Sequence, residues 1–365
     1  MNKKAAPLDR ESLQKWLNQQ LGGGVTVRAL HAPTNGYSAA TLLIDADIES
    51  AGIVTARRWV LRLEKQDRHI FRDTDIARQG QMMRALAAHG LPAPNVIAIE
   101  TDSAVLGGKF LLMDRIDGVS LPQHPNYHSE GLLTRLAAGR RRSLWADAIT
   151  TIASINALER SPDFDFLDKP QYGAAGLDQY LGWLAAWRDE AMEGRANPVL
   201  DAALNRLLGD KPDNRHVEVL WGDSNPGNFL FSESGGVAAV LDFEAAALGP
   251  AEIDLGWWFY VDDLISFGSE RLPGLPDRAE IIALFEATLG RKTSDLAYYE
   301  MLAALRMGLV IARTVNLLIR SGALPPDNTA ACNNPCTQWL AMHMNIPAGD
   351  TGADFMAFTQ AMNDG

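Results

Sequence analysis

Leu220-Trp-Gly-Asp-Ser-Asn-Pro-Gly-Asn-Phe-Leu-Phe231, followed shortly by Val240-Leu-Asp-Phe-Glu244, is the stretch on which the reading of this chain turns. Two acidic side chains and one amide flank a short hairpin in it. Asp223 and Asn228 stand five apart on one loop, and Asp242 follows the second strand, fourteen residues after Asn228. The apolar runs Phe229–Phe231 and Val237–Leu241, joined by a turn around Ser234-Gly235-Gly236, predict a hairpin that brings its ends together. Asp, Asn, Gly and Pro are also the ordinary turn formers, so a lone Asp-x-x-x-x-Asn reads as a turn. The hairpin and the second Asp give the spacing a chemical reading.

That reading is phosphoryl transfer, which needs a positioned metal, an oriented nucleophile and charge stabilisation rather than covalent help. Magnesium is hard and prefers oxygen ligands. An Asn carbonyl and an Asp carboxylate supply them without gathering excess negative charge beside phosphates. A separate carboxylate near an acceptor hydroxyl can orient it and take its proton. Asp223, Asn228 and Asp242 match those three parts.

Working outward, residues 8–21 have helical apolar spacing and stop at Gly22-Gly23-Gly24. Strand-like runs follow at Val25–His31, Ala39–Ile48 and Arg58–Glu64, the last alternating Trp59, Leu61 and Leu63 against Val60 and Arg62. Residues 73–88 read as a helix, and Pro92 and Pro94 forbid its continuation. Val96–Glu100 and Lys109–Asp114 complete a β-β-β-α-β-β order. After Gly118 the composition turns helical, with helices predicted at 129–139, 143–159, 176–192 and 197–208 and from 252 onward, interrupted only by the strands around the opening motif. The expected fold is α+β, with a small sheet-rich lobe at 1–115 and a large helical lobe at 116–365 that carries the catalytic loop and substrate site.

The bulk numbers narrow the function classes. The chain has 365 residues, 47% of them apolar, enough for two domains or one large two-lobed unit. A formal net charge of −12 argues against a nucleic-acid binder. The one dense basic run, Arg140-Arg141-Arg142, reads as a solvated face. Cys332 and Cys336 are the only cysteines, which excludes a disulfide scaffold and suits the cytoplasm. No second cysteine pair accompanies them, so zinc is not expected. Residues 1–12 lack the apolar core of a signal peptide. The apolar helix near 296–320 carries Arg306, Arg313 and Arg320 and reads as buried rather than membrane-spanning. Gly222-Asp-Ser224-Asn-Pro-Gly227 misses the G-x-S-x-G elbow by one residue, and Phe110 after Gly107-Gly108-Lys109 denies a P-loop its hydroxyl.

The opening motif resembles the catalytic loop of the aminoglycoside phosphotransferase and choline kinase superfamily, H-G-D-x-x-x-x-N followed by I/L-D-[FW]-E. Gly222, Asp223, Asn228, Asp242, Phe243 and Glu244 match, as do Leu248-Gly249-Pro250 and Ile253-Asp-Leu-Gly-Trp257. The resemblance covers roughly 25–320. Tyr180 to Trp187 and Val105 to Gly118 make it most similar to the kinase-like domain found beside some acyl-CoA dehydrogenases. It implies a protein-kinase-like two-lobed fold and an ATP- and magnesium-dependent kinase acting on a hydroxyl of a small molecule. By that resemblance Asp223 is the base, Asn228 and Asp242 hold magnesium, and Asp254 braces the loop. Met113 to Arg115 form the hinge that meets adenine, and Gly36, Ser38 and Thr41 lie over the phosphates. Val60 packs adenine, and Arg62 replaces the phosphate-binding lysine, offering a planar fork.

Three departures stand out. Trp221 occupies the place of the motif's His; its donor-only indole N–H is expected to take over the bracing role, with plain core as the alternative. Gln79 stands where a Glu pairs with the lysine, and Asn156 where relatives often have His. Trp221 and Gln79 keep open a second reading, a nucleotide-binding pseudokinase or regulatory module without transfer activity. The acceptor is open too: the subgroup hints at a hydroxyacyl-CoA, while Asp163-Phe-Asp-Phe-Leu-Asp168 suggests a cleft for a cationic metabolite. Neither nucleic acid nor membrane is an expected partner.

Overall fold

The computed structural model describes residues 10–31, 39–64, 69–158 and 160–364. The chain divides into two compact units, one of residues 1–69 and 73–117, the other of residues 70–72 and 118–365.

The first unit contains α1 (Arg10–Leu21), β1 (Val25–His31), β2 (Ala39–Ser50), β3 (Ile53–Glu64), α2 (Ile76–Ala88), β4 (Val96–Glu100) and β5 (Phe110–Asp114). Its strands form one antiparallel sheet in the order β1-β2-β3-β5-β4. Strand alternation decides its faces. Trp59 and Leu61 are buried, whereas Val60 and Arg62 between and beyond them are half-buried. The buried face packs on Leu13, Trp16 and Leu17 of α1, with Trp16 edge-on to Phe110 at 4.6 Å between ring centres. Full burial of each such side chain contributes about 1.5–3 kcal/mol. The helix α2 begins at Asp75, whose carboxylate accepts the Ala77 N–H at 3.0 Å. It lies close to the sheet at Gly80, where a Cβ would stand 2.7 Å from Ile99 Cδ1.

The second unit runs through α3 (Leu132–Arg135), α4 (Ala138–Asn156), α5 (Leu177–Ala191), α6 (Pro198–Gly209), β6 (Glu218–Leu220), β7 (Phe229–Phe231), β8 (Val237–Val240), β9 (Ala247–Gly249), α7 (Glu252–Ile265), α8 (Arg278–Leu289), α9 (Leu296–Arg320), α10 (Pro335–Met344) and α11 (Ala353–Asp364). The α+β expectation holds, with the sheet in the N-terminal part and the helices in the C-terminal part. The helix α9 is long and apolar enough to cross a membrane by length and composition. Here 67% of its apolar window is buried, packed against α5, α6, α7 and α10. Gly256 of α7 lets that helix touch α9: a Cβ there would stand 2.8 Å from the Tyr299 backbone.

Two small strand pairs position the site. The hairpin β7–β8 forms as the sequence predicts, with Phe229 opposite Val240. The strand β6 does not join it; it pairs with β9, a strand that the sequence reading did not find. The order is therefore β6, loop, β7, β8, loop, β9, which lays residues 221–228 beside residues 241–246. Below them, Arg291 clamps β6 to the start of α7. It donates to both carboxylate oxygens of Glu218 (2.7 and 2.6 Å) and to both of Glu252 (2.7 and 2.9 Å).

Burial alone would push the Glu252 carboxyl up, but the hydrogen bonds and charge of Arg291 outweigh it and hold it below the usual carboxylate range. A carboxyl so depressed stabilises the fold above its unfolded pKa, and that contribution is lost as pH falls through the folded value. Arg291→Met strands a Glu252 side chain that is 1% exposed. It is expected to cost about 3 kcal/mol at neutral pH by urea unfolding. With Arg291 gone, the bonds from Ser294 and Asn214 are left to oppose burial, and the variant should recover relative to wild type as pH drops toward about 4. Parallel stability profiles from neutral to acid pH would mean that the clamp carries no charge linkage.

Candidate active site

The site is built around Asp254, a fully buried carboxylate at the start of α7. Its Oδ2 accepts the Trp221 N–H at 2.8 Å and the Asn156 side-chain amide at 2.8 Å, and its Oδ1 accepts the Gly222 N–H at 2.9 Å. Its carbonyl accepts the Ser224 hydroxyl at 2.8 Å. Burial pushes this carboxyl up, and the bonds from Asn156, Gly222 and Trp221, with Arg306, oppose it. Asn156, where relatives often have His, thus ties the end of α4 to Asp254 and, through a 2.9 Å bond, to the Val219 carbonyl.

The loop that Asp254 braces is shaped by its glycine. Gly222 has φ +86, and a Cβ would stand 2.0 Å from the Ala245 carbonyl oxygen, so only glycine lets the two loops meet. The next residue, Asp223, is held from three sides. Trp257 Nε1 donates to its Oδ1 at 2.8 Å, Asn225 Nδ2 donates to the same oxygen at 3.0 Å, and Asn228 Nδ2 donates to Oδ2 at 2.7 Å. Asn225 also caps the short turn Pro226–Asn228, accepting the Gly227 N–H at 3.0 Å. Asp223 keeps some exposed surface, yet protein atoms surround its carboxylate. Burial pushes its pKa up; Arg306 counters this, Asp242 adds to it, and the bonds from Asn228 and Trp257 lower it.

The backbone of Asn228 accepts the Leu241 N–H at 2.9 Å, which sets residues 228 and 242 beside each other at the foot of the hairpin. Asp242 has φ +59, a left-handed conformation that costs a non-glycine residue about 1–2 kcal/mol. Trp221 holds that turn: its buried indole N–H is shared between the carbonyls of Leu241 (2.9 Å) and Asp242 (3.1 Å). Asp223, Asn228, Asp242, Trp221 and Asp254 are therefore brought together.

The residues expected in the first unit form a separate set. Val60 stands opposite Met113 across β3 and β5, and Arg62 lies one step along the same face, opposite Leu111 and Thr41. Arg115 follows β5, its N–H bonded to the Arg58 carbonyl at 3.0 Å. Gln79 is buried on α2, and its Oε1 accepts no hydrogen bond among the described residues. Gly36 and Ser38 lie outside the described residues.

Two further residues serve the site without having been singled out from the sequence. Trp257 was part of the motif but had no role assigned. Arg306, read only as an argument against a membrane span, is fully buried. It donates to the Gly222 carbonyl and lies 3.9 Å from the centre of the Trp257 ring system. The usable signal was the first of three arginines in an apolar helical run. Beside the loops is a pocket lined by Leu167, Lys169, Gln179, Tyr180 and Trp183 on one side and residues 244–248 on the other. Asp163 and Asp165 are exposed, and Asp168 is bonded to Arg160 and Gln179 at 2.8 and 2.7 Å. Among the described residues, no three of His, Cys, Asp and Glu gather as a metal cage, and both cysteines are free thiols.

A family model described as the phosphotransferase enzyme family matches residues 35–287, well over half of the chain. The chain belongs to that family. As a phosphotransferase-family protein it is 23% identical over 317 residues to acyl-CoA dehydrogenase family member 11 of Pongo abelii, covering 80% of this chain and 38% of that one. It is 24% identical over 260 residues to family member 10 of Mus musculus, covering 70% and 22%. The phosphotransferase-family chain thus spans well under half the length of these curated relatives. A solved structure from Ralstonia eutropha, described as an aminoglycoside phosphotransferase, superposes with a TM-score of 0.68 at 20% identity, covering 93% of this chain and 99% of that one. A choline/ethanolamine kinase family protein from Mesorhizobium loti gives a TM-score of 0.52 at 13% identity, covering 97% and 99%. The kinase-like fold and the resemblance stated from sequence both hold.

Asp254→Asn tests the brace. An amide offers one acceptor oxygen, and its NH2 would face the N–H of Trp221 or Gly222. Leaving such buried donors unpaired costs about 1–3 kcal/mol each. A clear fall in the thermal unfolding midpoint is expected, and an unchanged midpoint would remove Asp254 from the role of brace.

Proposed function

We propose that this protein transfers the γ-phosphate of ATP to a hydroxyl of a small molecule, with Asp223 as base and with Asn228 and Asp242 as the magnesium ligands. The observation that carries this reading is the convergence of those three side chains on two adjoining loops, in a chain of the phosphotransferase family. Asp223 accepts hydrogen bonds only, so its ionised carboxylate has the capacity to take a proton from the acceptor. The acceptor oxygen then bonds to the γ-phosphorus, the bond to the bridging β–γ oxygen breaks, ADP leaves, and the acceptor proton ends on Asp223.

The donor set fits magnesium. Asn228 spends its amide nitrogen on Asp223, which leaves its Oδ1 for a cation, and Asp242 supplies a carboxylate. Two hard oxygen donors without a protein cage suit an ion that arrives with phosphate. Magnesium held by Asn228 and Asp242 would supply positive charge against the phosphates during transfer. In the first unit, Val60, Met113 and Arg115 are assigned to adenine and Arg62 to the phosphates. For the acceptor, the pocket flanked by Tyr180 and Trp183 adjoins Ala245, which touches Gly222. The engagement of Asp168 weakens the case for a cationic acceptor. A hydroxyacyl thioester agrees better with the named relatives and with Lys169 at the pocket wall.

Gln79 favours a second reading, a nucleotide-binding module without transfer, because its orphaned Oε1 forms no clamp with Arg62. Incubation with ATP and magnesium over a panel of hydroxylated metabolites and thioesters separates the two. Acceptor-dependent ADP release is expected; tight nucleotide binding with persistent silence across the panel would favour the module. Asp223→Asn is expected to retain ATP binding and to lose transfer by about 100-fold or more, and full activity would refute the base. Asp242→Asn should weaken nucleotide binding in the presence of magnesium but not in EDTA, as read by calorimetry.

A further inference from the structure

We propose that Arg306 is a positioning residue that fixes the Asp223 carboxylate from below, through the Gly222 carbonyl on one side and the Trp257 indole on the other. The inference rests on the reading of Asp223 as base. Arg306 sits in the middle of α9, far from Asp223 in sequence, and has no exposed surface. Its Nη1 donates to the Gly222 carbonyl and approaches the Tyr180 hydroxyl at 3.5 Å. Its guanidinium carbon lies 3.9 Å from the Trp257 ring centre and 5.3 Å from that of Phe71. Trp257 in turn donates its N–H to Asp223 Oδ1. Two contacts thus run from one rigid side chain to the residue before Asp223 and to a donor on Asp223 itself.

Stability alone does not account for this arginine. Its Nε and Nη2 are buried with no hydrogen-bond partner. Unmet buried donors and a buried charge are costly, and an apolar side chain of similar length often serves a core as well or better. The neighbours one turn away on α9 are the buried apolar residues Leu302, Ala303 and Leu309. The planar cation differs from methionine in the charge it sets against Asp223 and Asp254, in its bond to the Gly222 carbonyl, and in its flat face. It lies against the indole face by cation–π attraction, and so fixes the tilt of the ring that aims an N–H at Asp223. Lysine retains the charge and a donor for Gly222 but has no plane to lay on the ring.

The test combines a resonance with a rate. The full chain labelled with 15N-tryptophan gives nine indole N–H signals, of which Trp257→Phe identifies one by its loss. In wild type the Trp257 signal is expected downfield and slow to exchange, and Asp223→Asn should move it. Arg306→Met should shift it toward the free-indole position and speed its exchange at least about 10-fold, while the other indole signals stay near wild type. Arg306→Lys should fall between the two. In parallel, ADP release from ATP and magnesium should fall about 10-fold or more in Arg306→Met, with ADP affinity unchanged and partial recovery in Arg306→Lys.

A Trp257 signal unmoved by Arg306→Met overturns the proposal whatever the rate does. So does a loss spread over all indoles together with a lower midpoint, which marks a merely structural role. Should Arg306→Met not fold, Arg306→Lys decides: a shifted Trp257 signal supports the proposal and an unshifted one overturns it. If wild type releases no ADP at all, the base reading fails, while the indole signal still decides whether Arg306 positions Trp257.

Discussion

Everything at this site depends on one buried negative charge. The Asp254 carboxylate has no exposed surface, and isolated there it would be untenable. Three N–H groups make it tenable, and two of them are the backbone amides of Trp221 and Gly222. The constraint works in both directions. The loop before Asp223 satisfies the carboxylate, and the carboxylate prevents that loop from taking another path. Because the third donor comes from Asn156 at the end of α4, the brace also joins two helices and a strand exit at one point.

The exchange of an imidazole for an indole at position 221 becomes intelligible from the groups around it. A neutral imidazole offers one donor and one acceptor, whereas an indole offers a donor only. What surrounds the ring at its polar end is two carbonyls, those of Leu241 and Asp242, and neither has a proton to give. A donor-only ring suffices. The remainder of the indole packs edge-on against Phe229 at 4.9 Å, so the same residue fills the hairpin's core and steadies the strained turn at Asp242.

Much of this architecture was readable in the chain. Strand alternation at Trp59–Arg62, the glycine stop after Leu21 and the hairpin around Ser234 each follow from local sequence, and the structure has them. What local pattern missed has physical causes. The strands β2 and β3 run on to Ser50 and back from Ile53 through an arm whose residues 53–58 are all exposed. An arm with no core face leaves no alternation to read. The strand β9 has three residues and pairs with an equally short β6, too brief for any periodicity. Helix 129–139 was expected whole but breaks at Leu136 and Ala137, both extended in backbone. In the site, loop residues were legible because their spacing is local. Arg306 and the carbonyl it serves are 84 positions apart, and no window of sequence connects them.

That separation bears on how the site comes into being during folding. The brace joins residue 156 to 254, the stacked cation joins 306 to 257, and the clamp joins 291 to 218 and 252. None of these ties closes within a single helix or hairpin, so each waits for loop-closure entropy to be overcome by helix docking. A nascent chain that has emerged only as far as the β7–β8 hairpin holds Asp223, Asn228 and Asp242 without the framework that orients them. The full framework around Asp223, Asn228 and Asp242 therefore requires α9 in place.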